Sequence, residues 1–461
     1  MRRLLLLLAL ACPLSAADLG SVAFPTSAKN PEAQALFERG LAALHSFWYE
    51  EAANAFRAAR DLEPSFAMAY WGEAMTHNHP IWMEQDRDAA LAILKALPKK
   101  AGTPREREWL ATLDTLYGKG TKRSRDAAYE KAMAALAAKY PDDLEAQAFR
   151  ALAILGTLQR DGGDGPKHAR AAAALEPLMA RAPEHPGVLH YTIHAYDEPL
   201  HASLGLRAAR SYAQVAPSAH HALHMPSHIF LQLGMWDEAA KSNEASYAAS
   251  VAWVERAKLP SSKRDLHSLS WLHYIYLQQD RREDARRLLA EVSGEKGMSE
   301  RERSTRAHML ATWAVETGEP VELAAAGTDE GAQHCAAPYT SSSDVALFAR
   351  ALDAIRRGDL DAANVPLSDD VMQWTVKAMI ERKRGDLSKA IANAEKAVKL
   401  EEADAAPSGP PDVLKPSHEL LGELLAAAGR CEESQQAFRK SLQRTPNRRL
   451  SVIGAPCTNH R

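Results

Sequence analysis

Seven histidines fall in two short runs, HYTIHAYDEPLH at residues 190–201 and HHALHMPSH at residues 220–228. Neutral imidazole is a good ligand for zinc, copper, nickel or iron. Ten of the 18 histidines lie within residues 185–273, less than a fifth of the chain, and such an excess calls for a physical reason. On a helix turning about 100° per residue, His190, His194 and Asp197 share one face. His224 and His228 repeat the same i,i+4 spacing. Two such pairs on neighbouring helices would supply three or four nitrogens to one ion, so the expected metal ligands are His190, His194, His224 and His228. Asp197 is then a further ligand or the acceptor that orients a ring. Three protein ligands leave a position for water or substrate, whereas four make a structural site. Pro199 ends the first helix, so His201 begins the next element and is an additional candidate.

The bland alternative is that single histidines on helices are satisfied by caps, backbone carbonyls or solvent. His273, inside WLHYIY, reads as such a packing residue. A second aromatic and histidine group occupies YWGEAMTHNHPIWMEQD at residues 70–86, with Trp71 expected in the core and His77 and His79 in a loop. Other chemistry is not indicated. The chain has no GxSxG elbow, no GxxxxGK[ST] loop, no GxGxxG and no HExxH; in HYTIH a tyrosine stands where the general-base glutamate of a zincin would be. The sequence names no reaction.

With 46% hydrophobic and 25% charged residues, the 461-residue chain has ample material for a buried core. A formal net charge of -3 argues against nucleic acid as a partner. The stretch MRRLLLLLALACPLSAADLG joins two arginines, an apolar run and small residues at Ser15 and Ala17. That is the pattern of a secretory signal over residues 1–17, cleaved before Asp18, and it implies a periplasmic or extracellular protein. The apolar run is shorter than the roughly 20 residues needed to span a bilayer. A lipid anchor at Cys12 is disfavoured by the residues before it. After cleavage Cys335, Cys431 and Cys457 remain; either a Cys431–Cys457 bridge staples the C-terminal tail to the last helical hairpin or all three stay unpaired.

The elements that must position the histidines are helical repeats. Residues 31–64, PEAQALFERGLAALHSFWYEEAANAFRAARDLEP, place Gly40, Ala52, Phe56, Ala59 and Pro64 at the small, large and terminating positions of a 34-residue helical hairpin. This stretch resembles a tetratricopeptide repeat (TPR). Four further units follow the pattern: HALHMPSHIFLQLGMWDEAAKSNEASYAAS, LHSLSWLHYIYLQQDRREDARRLLAEV, MQWTVKAMIERKRGDLSKAIANAEKAVKLEE and HELLGELLAAAGRCEESQQAFRKSLQRTPN. The segments between keep helical periodicity without strict spacing. The expected fold is therefore an all-α, right-handed TPR-like helical-hairpin solenoid with degenerate repeats. It divides into an N-terminal solenoid over residues 18–326, a linker at 327–344 and C-terminal repeats over 345–461. Residues 160–168 read as a flexible crossing and 403–417 as a Pro-rich loop.

The block from HPGVLHYTIHAYDEPLH through HMPSHIFLQLGMWDEAAKSNEAS is similar to a module of exported bacterial TPR proteins. Aligning Gly234 and Ala239 with the repeat's turn glycine and tight-packing alanine puts His221, His224 and His228 at the second, fifth and ninth positions of a first helix. The resemblance implies that these positions line the concave groove, the family's usual ligand surface. The same phase adds His267, Glu73 and His77 to the groove candidates. Pro226 falls inside that helix, so a helix start near Met225 is the alternative. The functional expectation is an exported TPR-type protein that holds a protein or peptide partner in a histidine-lined groove, with a transition-metal site built into it. The alternative is a metal-dependent enzyme of hydrolytic or oxidative type, and the fallback a scaffold whose histidines are incidental.

Overall fold

The computed structural model describes residues 19–99, 101–158, 165–292, 298–319 and 342–456. Among these the only strands are a two-residue antiparallel ladder, Asn78–His79 with Glu84–Gln85, and the other regular elements are helical. The helices begin where short polar side chains can satisfy free N–H groups. Asn30 accepts from the amide of Glu32 ahead of Pro31–His45, and Asp143 from that of Ala146 ahead of Leu144–Leu155. Thr103 with Glu106 and Ser299 with Glu302 form reciprocal capping boxes.

Consecutive helices pack as hairpins: Pro31–His45 on Tyr49–Leu62, Trp236–Arg256 on Leu266–Gln278, Asp370–Arg384 on Leu387–Glu401, and Ser417–Ala427 on Cys431–Arg444. The repeat is visible in its contacts. Phe56 lies between Gly40 and Gly72, sixteen residues to either side, where an added Cβ would come within 2.9 and 2.4 Å of its ring. Phe438 lies in the same way between Gly422 and Gly454, at 2.8 and 2.3 Å. Two distant hairpins thus use one device, a large ring seated where two helices lack side chains. The chain is an all-α array of TPR-like helical hairpins.

One apolar core runs from Leu19 to Trp313, and two smaller ones gather residues from Ala311 to Ala437. The C-terminal hairpins turn back onto the first part. Arg448 is fully buried, 2.5 Å from Glu316 and 2.8 Å from Glu419, and the amide of Arg449 donates to Gln278 at 2.8 Å.

Several loop expectations are revised. The crossing at 160–168 is helical from Gly165, which opens Gly165–Arg181; residues 159–164 lie outside the described residues. The last three residues of the 327–344 linker belong to Ser342–Arg357, and the rest lies outside the described residues. The 403–417 loop is packed: Gln232 donates to the Pro407 carbonyl at 2.9 Å, and a Cβ at Gly409 would meet Trp271 at 2.3 Å. Cys431 is disulfide-bonded, whereas Cys12, Cys335 and Cys457 and the expected signal at 1–17 lie outside the described residues. Among the described residues no helix is long and apolar enough to cross a membrane.

Candidate metal centre

Three consecutive hairpins aim imidazoles into one hollow. Pro186–Tyr196 carries His190 and His194, and His185 caps its start by accepting from the Val188 amide. The next helix is split at Met225, with His221 and His224 on His220–His224 and His228 on Pro226–Gln232. Proline tolerates a first-turn position, so the break falls where Pro226 predicts it. The turn that follows needs Gly234, at φ 68°. Leu266–Gln278 then presents His267, one residue inside a helix capped by Asp265.

The donor atoms fall into two sets of three, His190, His194 and His221 in one and His224, His228 and His267 in the other, each within 4.8 Å of one another. Ring centroids within a set lie 4.7 to 5.0 Å apart for the contacting pairs. Across the sets, His194–His228 and His221–His224 both measure 5.9 Å. Phe47 and Tyr212 pack on His190, Trp82 on His221, and Trp271 on both His224 and His228. The 70–86 stretch thus reaches the site through Trp82, while Trp71 is buried in the core as its sequence position suggests.

The far side of three rings is fixed by acceptors. His190 Nδ1 donates to the His45 carbonyl at 2.7 Å. His224 Nδ1 donates to Asn243 Oδ1 at 2.7 Å; the amide is oriented by its Nδ2, which donates to the Ala239 carbonyl. His228 Nδ1 lies 2.5 Å from Asp197 Oδ2 and 3.1 Å from the Ser408 carbonyl. A carbonyl only accepts, so in each neutral ring the proton sits on Nδ1 and Nε2 presents a lone pair. His224 Nε2 and His228 Nε2 are 3.1 Å apart, and His190 Nε2 is 3.2 Å from His221 Nε2. Between His224 and His228 two lone pairs at that separation repel unless a cation stands between them, whereas His221 can donate from Nε2 to His190. The edge of a tetrahedron with bonds of about 2.0 Å is roughly 3.3 Å, so the spacing is that of two ligands on one metal.

On five of the six rings, His190, His194, His221, His224 and His267, burial disfavours the alternative cation, a proton. It pushes His190 down to about 3 and His267 to about 4. Burial, then the neighbouring imidazoles, hold His194, His221 and His224 well below the usual histidine range. Neutral, desolvated imidazole is the form that ligates.

The other sequence candidates divide. Asp197 is buried and orients His228, and His221 and His267 join the triads. His201 stays outside: it is exposed beyond Pro199 and pairs with Glu198. Glu73 is held by Arg60 at 2.6 Å and Arg57 at 3.2 Å, on a face turned to the neighbouring helix. His77 lies past the end of Ala67–Met75, and its carbonyl accepts from the Asp86 amide. Sequence reasoning passed over His45, Glu145 and His185, a third buried cluster behind His190. Glu145 accepts from His45 Nε2 at 2.7 Å and His185 Nε2 at 2.9 Å, and Tyr191 donates to His45 Nδ1 at 2.8 Å. His273 is fully buried with both ring nitrogens unpartnered.

No protein-family model and no curated protein matches the chain. Among solved structures it is similar to the Cut9–Hcn1 assembly of the APC/C, at 12% identity over 92% of this chain and 75% of that one, with a TM-score of 0.37. It is similar to yeast Tom70 at 10% identity, covering 93% and 88%, and to human IFIT1 at 14%, covering 89% and 72%, each with a TM-score of 0.35. Superpositions this loose say nothing of family, ligand or partner; the fold stands on the chain's own hairpins.

Proposed function

We propose that the hollow is a transition-metal centre carried by an exported helical-repeat protein. The observation that supports it most is the facing pair of His224 and His228, whose Nε2 lone pairs stand 3.1 Å apart while both Nδ1 atoms are held by acceptors. An all-imidazole donor set suits zinc, copper, nickel or iron and offers nothing to calcium or magnesium. Phe47, Trp82, Tyr212 and Trp271 cover the rings on one side, and Asn243, Asp197 and the His45 carbonyl fix ligand tautomer and orientation.

A peptide groove at these residues is favoured less. His190 and His224 are fully buried, and the chain's own Pro407 and Ser408 carbonyls already bond Gln232 and His228. The test is elemental analysis of untagged protein. Near-stoichiometric transition metal, lost in a His224→Ala, His228→Ala variant, is the expected result. Protein that neither carries such metal nor takes it up at micromolar concentration would overturn the reading. Export is tested by sequencing the mature N-terminus, expected at Asp18.

A further inference from the structure

We infer that the centre is dinuclear, with one ion in each histidine triad and a small anion bridging the two. This rests on the metal-centre reading and goes beyond it in nuclearity and in ligand. Each triad gathers its donors within 4.8 Å, yet the six do not form one set, so a single ion does not use them all. The triads are neighbours all the same, since the ring separation across them, 5.9 Å, is only about 1 Å longer than within them. Two donor sets this close are the arrangement that a two-metal site needs.

Charge argues for the bridge. All six ligands are imidazoles, which bring no negative charge of their own when they ligate. Two divalent ions bring four positive charges into a buried site, where an uncompensated charge is costly. Nearby carboxylates are Asp197, on the His228 ring, and Asp265, at the head of the helix carrying His267. They offset about half of that charge, and a small anion such as hydroxide or azide supplies more. Three imidazoles per ion also leave each ion a coordination position for it. Entry is provided by a cleft of about 1710 Å³ whose wall includes His194, Tyr196, Asp197 and Ser408. His194 Nε2 and Asp197 Oδ1, both buried, have no hydrogen-bond partner there. His194 Nε2 is thus available to ligate, and Asp197 Oδ1 to accept from a bridging hydroxide.

The experiment loads full-length metal-free protein with copper(II) sulfate, removes excess and measures copper per chain. Electron paramagnetic resonance then counts spins, with and without sodium azide. Two coppers per chain with a spin count far below two, because a bridging anion couples the two ions, is the expected result. An altered charge-transfer absorption on adding azide is expected with it. His194→Ala and His267→Ala should each fall to one copper per chain and regain a full single-copper signal. One copper per chain in the unsubstituted protein, or two with undiminished spin, overturns the dinuclear inference and leaves the metal-centre reading standing. No bound copper overturns both. Should either variant fail to fold, the stoichiometry and spin count of the unsubstituted protein decide.

Discussion

Two buried histidine clusters lie back to back in this molecule, and one residue separates their chemistry. In the His45–Glu145–His185 cluster a carboxylate sits where a cation would go, and it accepts from both Nε2 atoms. Tyr191 and the Val188 amide supply the remaining Nδ1 partners, so both neutral rings are satisfied. In the hollow in front of it the acceptors stand on the outer side, at Nδ1, and the inward nitrogens are left facing one another. The same three-residue grouping therefore marks a strut in one case and a ligand set in the other. What distinguishes them is where the protons are, not how close the rings come. The strut also serves the site, because the His45 carbonyl holds His190.

That comparison breaks most sharply by exchanging the consequences of losing each cluster. The His224→Ala, His228→Ala variant should lose its metal outright while its metal-free form keeps the helical circular dichroism of the parent. Glu145→Gln should do the reverse. It sets an amide N–H₂ against one ring N–H and gives up one of the two buried bonds, at a cost of about 1.5–3 kcal/mol in urea unfolding. Metal stoichiometry should stay unchanged in the folded fraction. Asn243→Ala removes only the acceptor for His224 Nδ1, and should weaken metal binding by about 10–100-fold in competition titrations without lowering metal-free stability comparably.

Acid sharpens the contrast further. Burial lowers His45, and although burial would raise Glu145, the facing His185 and His45 hold it well below the usual carboxylate range. Both shifts mean that the unfolded chain binds more protons. Stability from this cluster is thus complete above about pH 6.5 and is lost as pH falls, first through the histidine and then below about 4.5 through the carboxylate. Thermal melts should fall on acidification over that range, and Glu145→Gln should flatten the fall below about pH 4.5. The smallest effect is expected at the packed loop. Gly409→Val pushes a side chain into Trp271 and should speed removal of the metal by a chelator several-fold with stoichiometry unchanged.

The hairpin array was legible because its signals are local. The glycine-to-phenylalanine offset of sixteen residues, the capping residues and the terminating prolines act within one or two turns of chain. The histidines were legible for the same reason, since i,i+4 spacing and repeat phase put His190, His194, His221, His224, His228 and His267 on inward faces. Their partition into two triads was not, because it depends on how three hairpins meet. Partners far away in sequence left no periodic trace: His45 with Glu145 a hundred residues on, Asn243 on a following helix, Ser408 in a distant loop. Glu73 and His77 were drawn in by repeat phase and His201 by its nearness in sequence, and two arginines, a helix end and a proline each remove one of them.

The most direct test of the central claim is X-ray absorption at the edge of the metal bound to the untagged protein. A first shell of nitrogen near 2.0 Å, with the outer-shell scattering of at least two imidazoles per metal, is the result the facing lone pairs predict. A shell of water or carboxylate oxygens without imidazole scattering would contradict it.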